Sequence, residues 1–148
     1  MDKAIPILIG EFSQLADVTS RVPPMAAKLA KRFWPGPLTM VLPRHSDIPY
    51  AVTPYETVGV RIPNLIALRK LLRLTGPMAV TSANISGQSS PSTAGGVHGQ
   101  LGGRIPLILD GGATRGGIPS TLVDCTKDEP VILREGPITM DEILQALA

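Results

Sequence analysis

Small polar side chains follow the apolar run at 78–80, in a segment at 81–87 that reads Thr-Ser-Ala-Asn-Ile-Ser-Gly. The apolar run is typical of a short buried strand. The polar groups would then lie where that strand leaves its sheet, which is where α/β proteins usually bind ligands. Ser82 and Asn84 are therefore candidate ligand-orienting residues. Serine and asparagine are also common in turns that bond only their own backbone, and that interpretation stays open.

Two arginines close predicted strands. Arg61 ends the run Val-Gly-Val-Arg at 58–61, and Arg134 ends the run Val-Ile-Leu-Arg at 131–134. The fork of donors on a guanidinium matches a carboxylate or a phosphate. A single arginine of this kind usually just faces solvent, but the repeated arrangement favours an anion site. Ser120 opens a further predicted strand, where its hydroxyl would orient the ligand or satisfy its own turn.

Several familiar kinds of site are absent from the sequence. There is no Gly-x-x-x-x-Gly-Lys-Ser/Thr loop, and the glycine pairs at 111–112 and 116–117 do not match the Gly-x-Gly-x-x-Gly fingerprint of dinucleotide sites. No His, Cys and Asp residues recur at the spacing of metal ligands. His45 and His98 are interpreted as surface residues, and Cys125 as an inert core residue.

The composition limits the class of protein. With 148 residues, of which 43% are hydrophobic, the chain can bury one core, and we expect one domain. A formal charge of +2 is too small for a dedicated nucleic-acid binder. The basic residues Lys28, Lys31, Arg32 and Arg44 are accordingly interpreted as an ordinary solvated surface. A single cysteine fits a reducing, cytoplasmic setting, and no apolar run reaches the length of a membrane span.

The elements that must position these residues alternate irregularly. Strands are predicted at 4–9, 38–42, 58–62, 78–82, 105–109, 120–124 and 131–134, and helices at 25–33 and 65–74, near 92–93 and at the end of the chain. Thr139 and Glu142 form a capping box at the start of the last helix. Pro6 favours an edge position for the first strand, and a missing upstream segment would equally explain a start directly on a strand. We expect an α/β (α+β) fold with a twisted mixed parallel and antiparallel sheet flanked by helices.

Five short segments, spread along nearly the whole chain, are informative when they are taken together and in order. They are Phe-Trp-Pro-Gly-Pro-Leu-Thr at 33–39, Val-Gly-Val-Arg-Ile-Pro at 58–63, Thr-Ser-Ala-Asn-Ile-Ser-Gly at 81–87, Pro-Ser-Thr-Leu-Val-Asp at 119–124 and Leu-Arg-Glu-Gly at 133–136. Together they resemble the YrdC-like family of L-threonylcarbamoyladenylate synthases, some of which have been described as translation factors or double-stranded-RNA binders. The resemblance implies a YrdC-like fold in a single domain over 1–148.

The resemblance also implies an activity, in which L-threonine, bicarbonate and ATP give threonylcarbamoyl-AMP and pyrophosphate for the t6A modification of tRNA. The implied threonine-binding residues are Arg61 and Ser120, the implied ATP-binding residues are Thr57, Ser82, Ser90 and Arg134, and Ser82 and Asn84 are the implied catalytic pair. Mg²⁺ would accompany ATP, and no residue is predicted to bind a metal. The implied partners are tRNA or double-stranded RNA and other proteins of the t6A pathway, with no membrane.

The start of the chain departs from the family. Members begin with a segment like Pro-Thr-Asp-Thr-x-Tyr-Gly-Leu and then carry a Lys-x-Arg motif before the strand that resembles 4–9, and this chain has neither. The lysine and arginine of that motif help to complete the ATP and threonine site in the family. We therefore expect an N-terminally truncated chain that binds ATP weakly and turns over poorly.

Two other interpretations stay open. A YrdC-like module that binds RNA or a nucleotide without catalysis would show salt-dependent RNA affinity and no thermal shift with threonine or ATP. A folded fragment without activity would show poor solubility or an exposed apolar strand edge near 5–9.

Overall fold

The structure, a computed structural model, describes residues 4–114 and 118–148. The chain forms two compact units, of which the first contains Met1–Val80 and Pro119–Ala148 and the second contains Thr81–Ile118. The expectation of a single domain stays a prediction. Gly116 and Gly117, predicted to precede a strand, lie outside the described residues.

Among the described residues, a six-stranded sheet builds the first unit. Its strands are β1 (Ile7–Leu8), β2 (Leu38–Pro43), β3 (Thr57–Arg61), β4 (Met78–Ala79), β5 (Thr121–Asp124) and β6 (Val131–Arg134). They lie in the order β4-β1-β3-β2-β5-β6, with β1 parallel to β3, β2 parallel to β5, and the other neighbours antiparallel. The predicted mixed sheet is confirmed.

The helices begin and end at the signals that the sequence carries. They are α1 (Pro24–Phe33), α2 (Ile66–Thr75), α3 (Ala94–Leu101) and α4 (Met140–Leu147). A proline in the first turn starts α1, and Gly76, with φ of 85°, ends α2. At the start of α4, the Thr139 hydroxyl accepts from the Glu142 N–H, and the Glu142 carboxylate accepts from the Thr139 N–H. The predicted capping box is confirmed.

The central strands send alternate side chains to opposite faces of the sheet. Leu38, Met40 and Leu42 of β2 are fully buried in a core that includes residues of α1 and α4. A Cβ on Gly59 of β3 would contact the Thr39 methyl group at 3.4 Å, so these two residues lie on the other face. Polar residues lie close together on that second face, near Arg61 at the end of β3, the start of β5 and Arg134 at the end of β6.

The first strand is shorter than predicted and does not lie at an edge. Only Ile7 and Leu8 pair, with β3 on one side and β4 on the other. Pro6 lies just before the paired residues, and its carbonyl accepts from the Val80 N–H at 2.9 Å. The edge position predicted from Pro6 is therefore wrong, because a proline outside the paired residues removes no hydrogen bond from the ladder.

Three other segments differ from prediction. The strand predicted at 105–109 is wrong, because that segment has no strand pairing and Leu107 and Leu109 are 69% and 73% exposed. An apolar pattern indicates an extended chain but cannot supply a partner strand. Of the strand predicted at 78–82, only β4 forms, and a 3₁₀-helix at Phe12–Asp17 is missed.

The second unit contains α3, which begins close to the predicted position. The Thr93 hydroxyl caps it by accepting from the Gly96 N–H at 3.2 Å, and no residue of α3 is buried. Across the described ranges of both units, none of the helices has the length and apolar character that crossing a bilayer requires.

Candidate functional site

Ser120 precedes β5 and is held between two neighbouring strands. The register of β2 and β5 pairs Leu38 with Thr121, and the Thr121 N–H donates to the Pro37 carbonyl at 2.9 Å. This pairing places the hydroxyl oxygens of Ser120 and Thr39 2.7 Å apart. Both residues are buried, with exposed fractions of 7% and 4%. The Ser120 hydroxyl therefore has a defined position.

Arg134, at the end of β6, binds Ser120 from the side of β5 opposite to β2. Its Nε and Nη2 donate to the Ser120 carbonyl at 3.1 and 2.9 Å, and Nη2 also lies 3.2 Å from the Ser120 hydroxyl oxygen. The β5–β6 register pairs Arg134 with Leu122, next to an irregularity in the ladder. The guanidinium is thus fixed by the backbone that it binds.

Gly136 allows this close approach. A Cβ at that position would collide with the backbone of Pro119, Ser120 and Thr121. Only a residue without a side chain lets the chain after β6 pass so close to the start of β5. Gly136 therefore positions Arg134 and Ser120 relative to each other.

Arg61 ends β3 and is anchored on the turn that follows α1. Its Nε donates to the Gly36 carbonyl at 2.9 Å, and the Gly36 N–H donates to the Ile62 carbonyl at 3.0 Å. A Cβ on Gly36 would collide with the Phe33 carbonyl, so this approach also needs glycine. Met40 of β2 pairs with Val60 of β3. The next position in the same register places Thr39 opposite Arg61.

Thr39, Arg61, Ser120 and Arg134 are here called the arginine cluster. Burial lowers the pKa of Arg61, and the like charge of Arg134 lowers it further. The ion pairs formed within 4–114 and 118–148 involve neither arginine. Two guanidinium groups without a carboxylate, one of them partly desolvated, form an arrangement that a bound anion stabilises.

Thr57 lies at the opposite end of β3 from Arg61. They are four positions apart in the sequence, which corresponds to about 13 Å along a strand. Thr57 pairs with Pro43, and its carbonyl accepts from the Thr53 hydroxyl at 2.9 Å. The structure does not bring Thr57 to the arginine cluster, and its ATP-binding role stays a prediction.

Asn84 organises a loop of the second unit. Its Nδ2 donates to the carbonyls of Ile85 and Gln88 at 2.9 and 3.0 Å, and its Oδ1 accepts from the Ser90 hydroxyl at 3.1 Å. Both amide hydrogens are therefore used inside the loop. Ser82 is exposed. The Asn84 side chain thus bonds to Ser90 and stabilises this loop. Its catalytic role stays a prediction.

Sequence reasoning misses Thr39, Gly36 and Gly136. Gly36 and Thr39 lie in the Phe-Trp-Pro-Gly-Pro-Leu-Thr segment and Gly136 in the Leu-Arg-Glu-Gly segment. The motifs that carry the family resemblance therefore contain the signal that could have found them.

The interpretation of Arg44 as a solvated surface residue is wrong. Its side chain is only 8% exposed, and its Nη2 lies 3.5 Å from a carboxylate oxygen of Glu56. Nη1 donates to the Ile48 carbonyl at 2.6 Å, and the guanidinium carbon lies 4.7 Å from the centre of the Tyr50 ring. These four residues are here called the Arg44 cluster. The loop between β2 and β3 folds over Arg44 and buries it.

The other isolated residues are placed as predicted. The side chains interpreted as surface belong to exposed or half-buried residues: Lys28, Lys31, Arg32, His45 and His98. Cys125 is fully buried, and burial, with a smaller effect of Asp124, raises the pKa of its thiol to about 12. Within the described parts of the chain, no three His, Cys, Asp or Glu side chains are grouped so that they could hold a metal ion.

Most of the chain matches a known protein family. The family model Sua5/YciO/YrdC, described as "Telomere recombination", matches residues 1–136. The chain belongs to this family. The predicted YrdC-like membership and fold are therefore confirmed.

The chain is similar to threonylcarbamoyl-AMP synthases from an archaeon and a bacterium. It is 44% identical to the Pyrococcus abyssi protein over 144 residues, which cover 96% of this chain and 42% of the relative. It is 43% identical to the Bacillus subtilis protein over 145 residues, with the same two coverages. The chain thus spans less than half the length of these two curated relatives.

A solved structure of the family is also similar. The crystal structure of P. abyssi Sua5 complexed with L-threonine superposes with a TM-score of 0.91 at 43% identity, covering 99% of this chain and 44% of that chain. The family likeness therefore extends over the described fold as well as the sequence motifs.

Proposed function

We propose that this chain carries a substrate-binding part of a threonylcarbamoyl-AMP synthase, which converts L-threonine, bicarbonate and ATP to threonylcarbamoyl-AMP and pyrophosphate for t6A modification of tRNA. The arginine cluster carries the proposal, because it offers a preformed site for an anion and the described residues supply no carboxylate to fill it. Relatives with this name and a relative bound to L-threonine support the choice of ligand.

In this proposal, Arg61 and Ser120 bind the carboxylate of L-threonine. The Nε of Arg61 is occupied by the Gly36 carbonyl, so its terminal nitrogens are the donors left for a ligand. A carboxylate accepts from a guanidinium and from a hydroxyl at the same time. The buried setting of Ser120 strengthens these bonds relative to an exposed site.

We assign Arg134 to ATP, together with Thr57, Ser82 and Ser90, on the ground of the family resemblance. Adenylyl transfer depends on neutralising phosphate charge and on positioning the reacting groups, so it requires no protein nucleophile. Mg²⁺ would arrive with ATP as part of that substrate, and we assign it no protein ligand.

Binding and turnover of the purified chain test the proposal separately. Isothermal titration and thermal unfolding with L-threonine test the arginine cluster, with D-threonine as the matched control ligand. We expect an affinity for the L-isomer and a rise in Tm of several degrees at saturating ligand, roughly as linkage predicts. Pyrophosphate release that needs both threonine and bicarbonate tests the reaction itself.

The outcomes separate the competing interpretations. Affinity for L-threonine without pyrophosphate release would show that the binding part is present and that the expected impairment is real. RNA binding that weakens with salt, without any response to threonine or ATP, would overturn the proposal in favour of an RNA-binding module. No response to any of these ligands would leave a folded fragment without activity.

A further inference from the structure

Thr39 contributes a buried hydroxyl to the arginine cluster. We propose that Thr39 is a positioning residue that donates its hydroxyl proton to Ser120 and thereby keeps the Ser120 proton available for the ligand. This proposal rests on the proposed function, since the ligand in question is the carboxylate of L-threonine.

The first step is the assignment of the donor between the two hydroxyls. Their oxygens lie 2.7 Å apart, and either one can donate. Among the hydrogen bonds of the described residues, the Thr39 hydroxyl takes part in this one alone. Because Thr39 is 4% exposed, its proton has no access to bulk water. In either assignment one buried O–H lacks an acceptor while no ligand is bound, and this costs free energy. We assign the donor role to Thr39, because the remaining Ser120 proton can then be satisfied by the ligand.

The second step concerns the two lone pairs of the Ser120 hydroxyl oxygen. One accepts from Thr39, and the other accepts from Arg134 Nη2 at 3.2 Å. A hydroxyl oxygen has two lone pairs and one proton. With both lone pairs occupied, Ser120 can act towards a ligand only as a donor.

The third step follows from this restriction. A site whose hydroxyl can only donate, beside an arginine that can only donate, prefers a group that only accepts. A carboxylate is such a group, whereas an ammonium or a neutral amine is not. Thr39 therefore determines the selectivity of the site for the carboxylate end of the ligand without contacting the ligand.

The reverse assignment predicts a different site. If Ser120 donated to Thr39, the Thr39 proton would be buried without an acceptor, and Ser120 would offer the ligand no proton. Removing the Thr39 hydroxyl would then release the Ser120 proton and improve carboxylate binding. The two assignments thus differ in the sign of the effect of Thr39→Val.

The test is a double-mutant cycle measured as L-threonine affinity by isothermal titration. Thr39→Val preserves shape and removes the hydroxyl that fixes the Ser120 hydroxyl. Ser120 can then turn its proton away from the ligand, and we expect the Kd to rise about three- to ten-fold. Thr39→Ser keeps the hydroxyl and should restore most of the affinity. Because Thr39 acts through Ser120, Thr39→Val should add little in a Ser120→Ala background.

The Tm of every variant is measured alongside, and Thr39→Ala replaces the valine variant if that one does not fold. An unchanged or lower Kd in Thr39→Val, or an effect that adds fully to that of Ser120→Ala, would overturn the role of Thr39 and leave the proposed function standing. Absence of L-threonine affinity in the unmutated chain would overturn the proposed function, and this proposal with it.

Discussion

The Arg44 cluster and the arginine cluster differ in their counter-ions: within residues 4–114 and 118–148, only the Arg44 cluster includes a carboxylate. Arg61 is half-buried and Arg134 is exposed, whereas the side chain of Arg44 is buried. In the Arg44 cluster, the Glu56 carboxylate lies 3.5 Å away, a backbone carbonyl accepts a hydrogen bond and the Tyr50 ring covers the charge. In the arginine cluster, the partners of Arg61 and Arg134 among the described residues are backbone carbonyls and the Ser120 hydroxyl. The β2–β3 hairpin separates the two clusters, one at each end.

The difference indicates that Arg44 stabilises the fold and that Arg61 and Arg134 are placed to bind a ligand. A buried charge is tolerated when opposite charge and hydrogen bonds compensate it. Around Arg44 the Glu56 carboxylate and the Ile48 carbonyl do so in part, while Nε has no hydrogen-bond partner among the described residues. A pair of like charges without a carboxylate lowers stability until an anion binds, and burial together with Arg134 lowers the pKa of Arg61. Residue type alone does not distinguish the two, since all three side chains are arginine.

The largest expected effect comes from Arg61→Ala. Loss of a bidentate, charge-assisted contact of about 3 kcal/mol should weaken L-threonine binding by roughly 100-fold. Isothermal titration measures this, with Arg44→Met as the control that should bind normally. Equal affinities of the Arg61 variant and the unmutated chain would remove the distinction between the two clusters.

Arg44→Met should show the opposite behaviour. The methionine keeps the apolar stem but leaves the Ile48 carbonyl without its partner. The Glu56 carboxylate is 87% exposed and stays solvated, so its loss of the ion pair adds little. We expect a loss of about 1–3 kcal/mol and a Tm lower by roughly 3–10 °C. In Arg61→Ala the Tm without ligand should fall less, because relief of the like charge of Arg134 offsets the lost hydrogen bond to the Gly36 carbonyl. A stable Arg44 variant would mean that this cluster contributes little to the fold.

Cys125 provides an internal probe for the same comparison. Its thiol is fully buried with a pKa raised to about 12, so iodoacetamide at pH 8 should react with it only when the chain opens. The labelling rate should rise about ten-fold for each 1.4 kcal/mol that Arg44→Met costs, and it should rise less in Arg61→Ala. Mass spectrometry after timed quenching gives the rate. Rapid labelling of the unmutated chain would contradict the closed core.

Glu142→Gln should give the smallest effect and provides a reference outside both clusters. Hydrogen bonds from the Thr139 N–H, and then from the Thr139 hydroxyl, lower the pKa of Glu142 below its ordinary value. Its contribution to stability is therefore complete above the pKa of an unfolded glutamate and is lost as the pH falls through the lower folded value. The Tm advantage over Glu142→Gln should be small at pH 7 and should shrink as the pH falls below the pKa of an unfolded glutamate. An advantage that grows on acidification would contradict the capping box.

Much of the first unit can be predicted because its signals are local. Prolines and glycines end α1 and α2, and the capping box starts α4. Alternating apolar residues identify β2 and β3, whose inward side chains form the core. The segment at 105–109 has the same kind of apolar pattern and fails as a strand, because pairing depends on a distant segment that the pattern does not specify.

The candidate site also has features that local sequence signals predict and others that depend on distant parts of the chain. The sequence by itself determines the residue types, the family motifs and the positions of Arg61 and Arg134 at strand ends. Only the tertiary structure decides that Thr39 bonds Ser120 across 81 residues of chain and that Glu56 lies 3.5 Å from Arg44. It also decides that Arg61 has no carboxylate partner in the described part of the chain. Local propensity sets backbone conformation within a few residues, whereas the partners of a charge or a hydroxyl depend on which strands become neighbours.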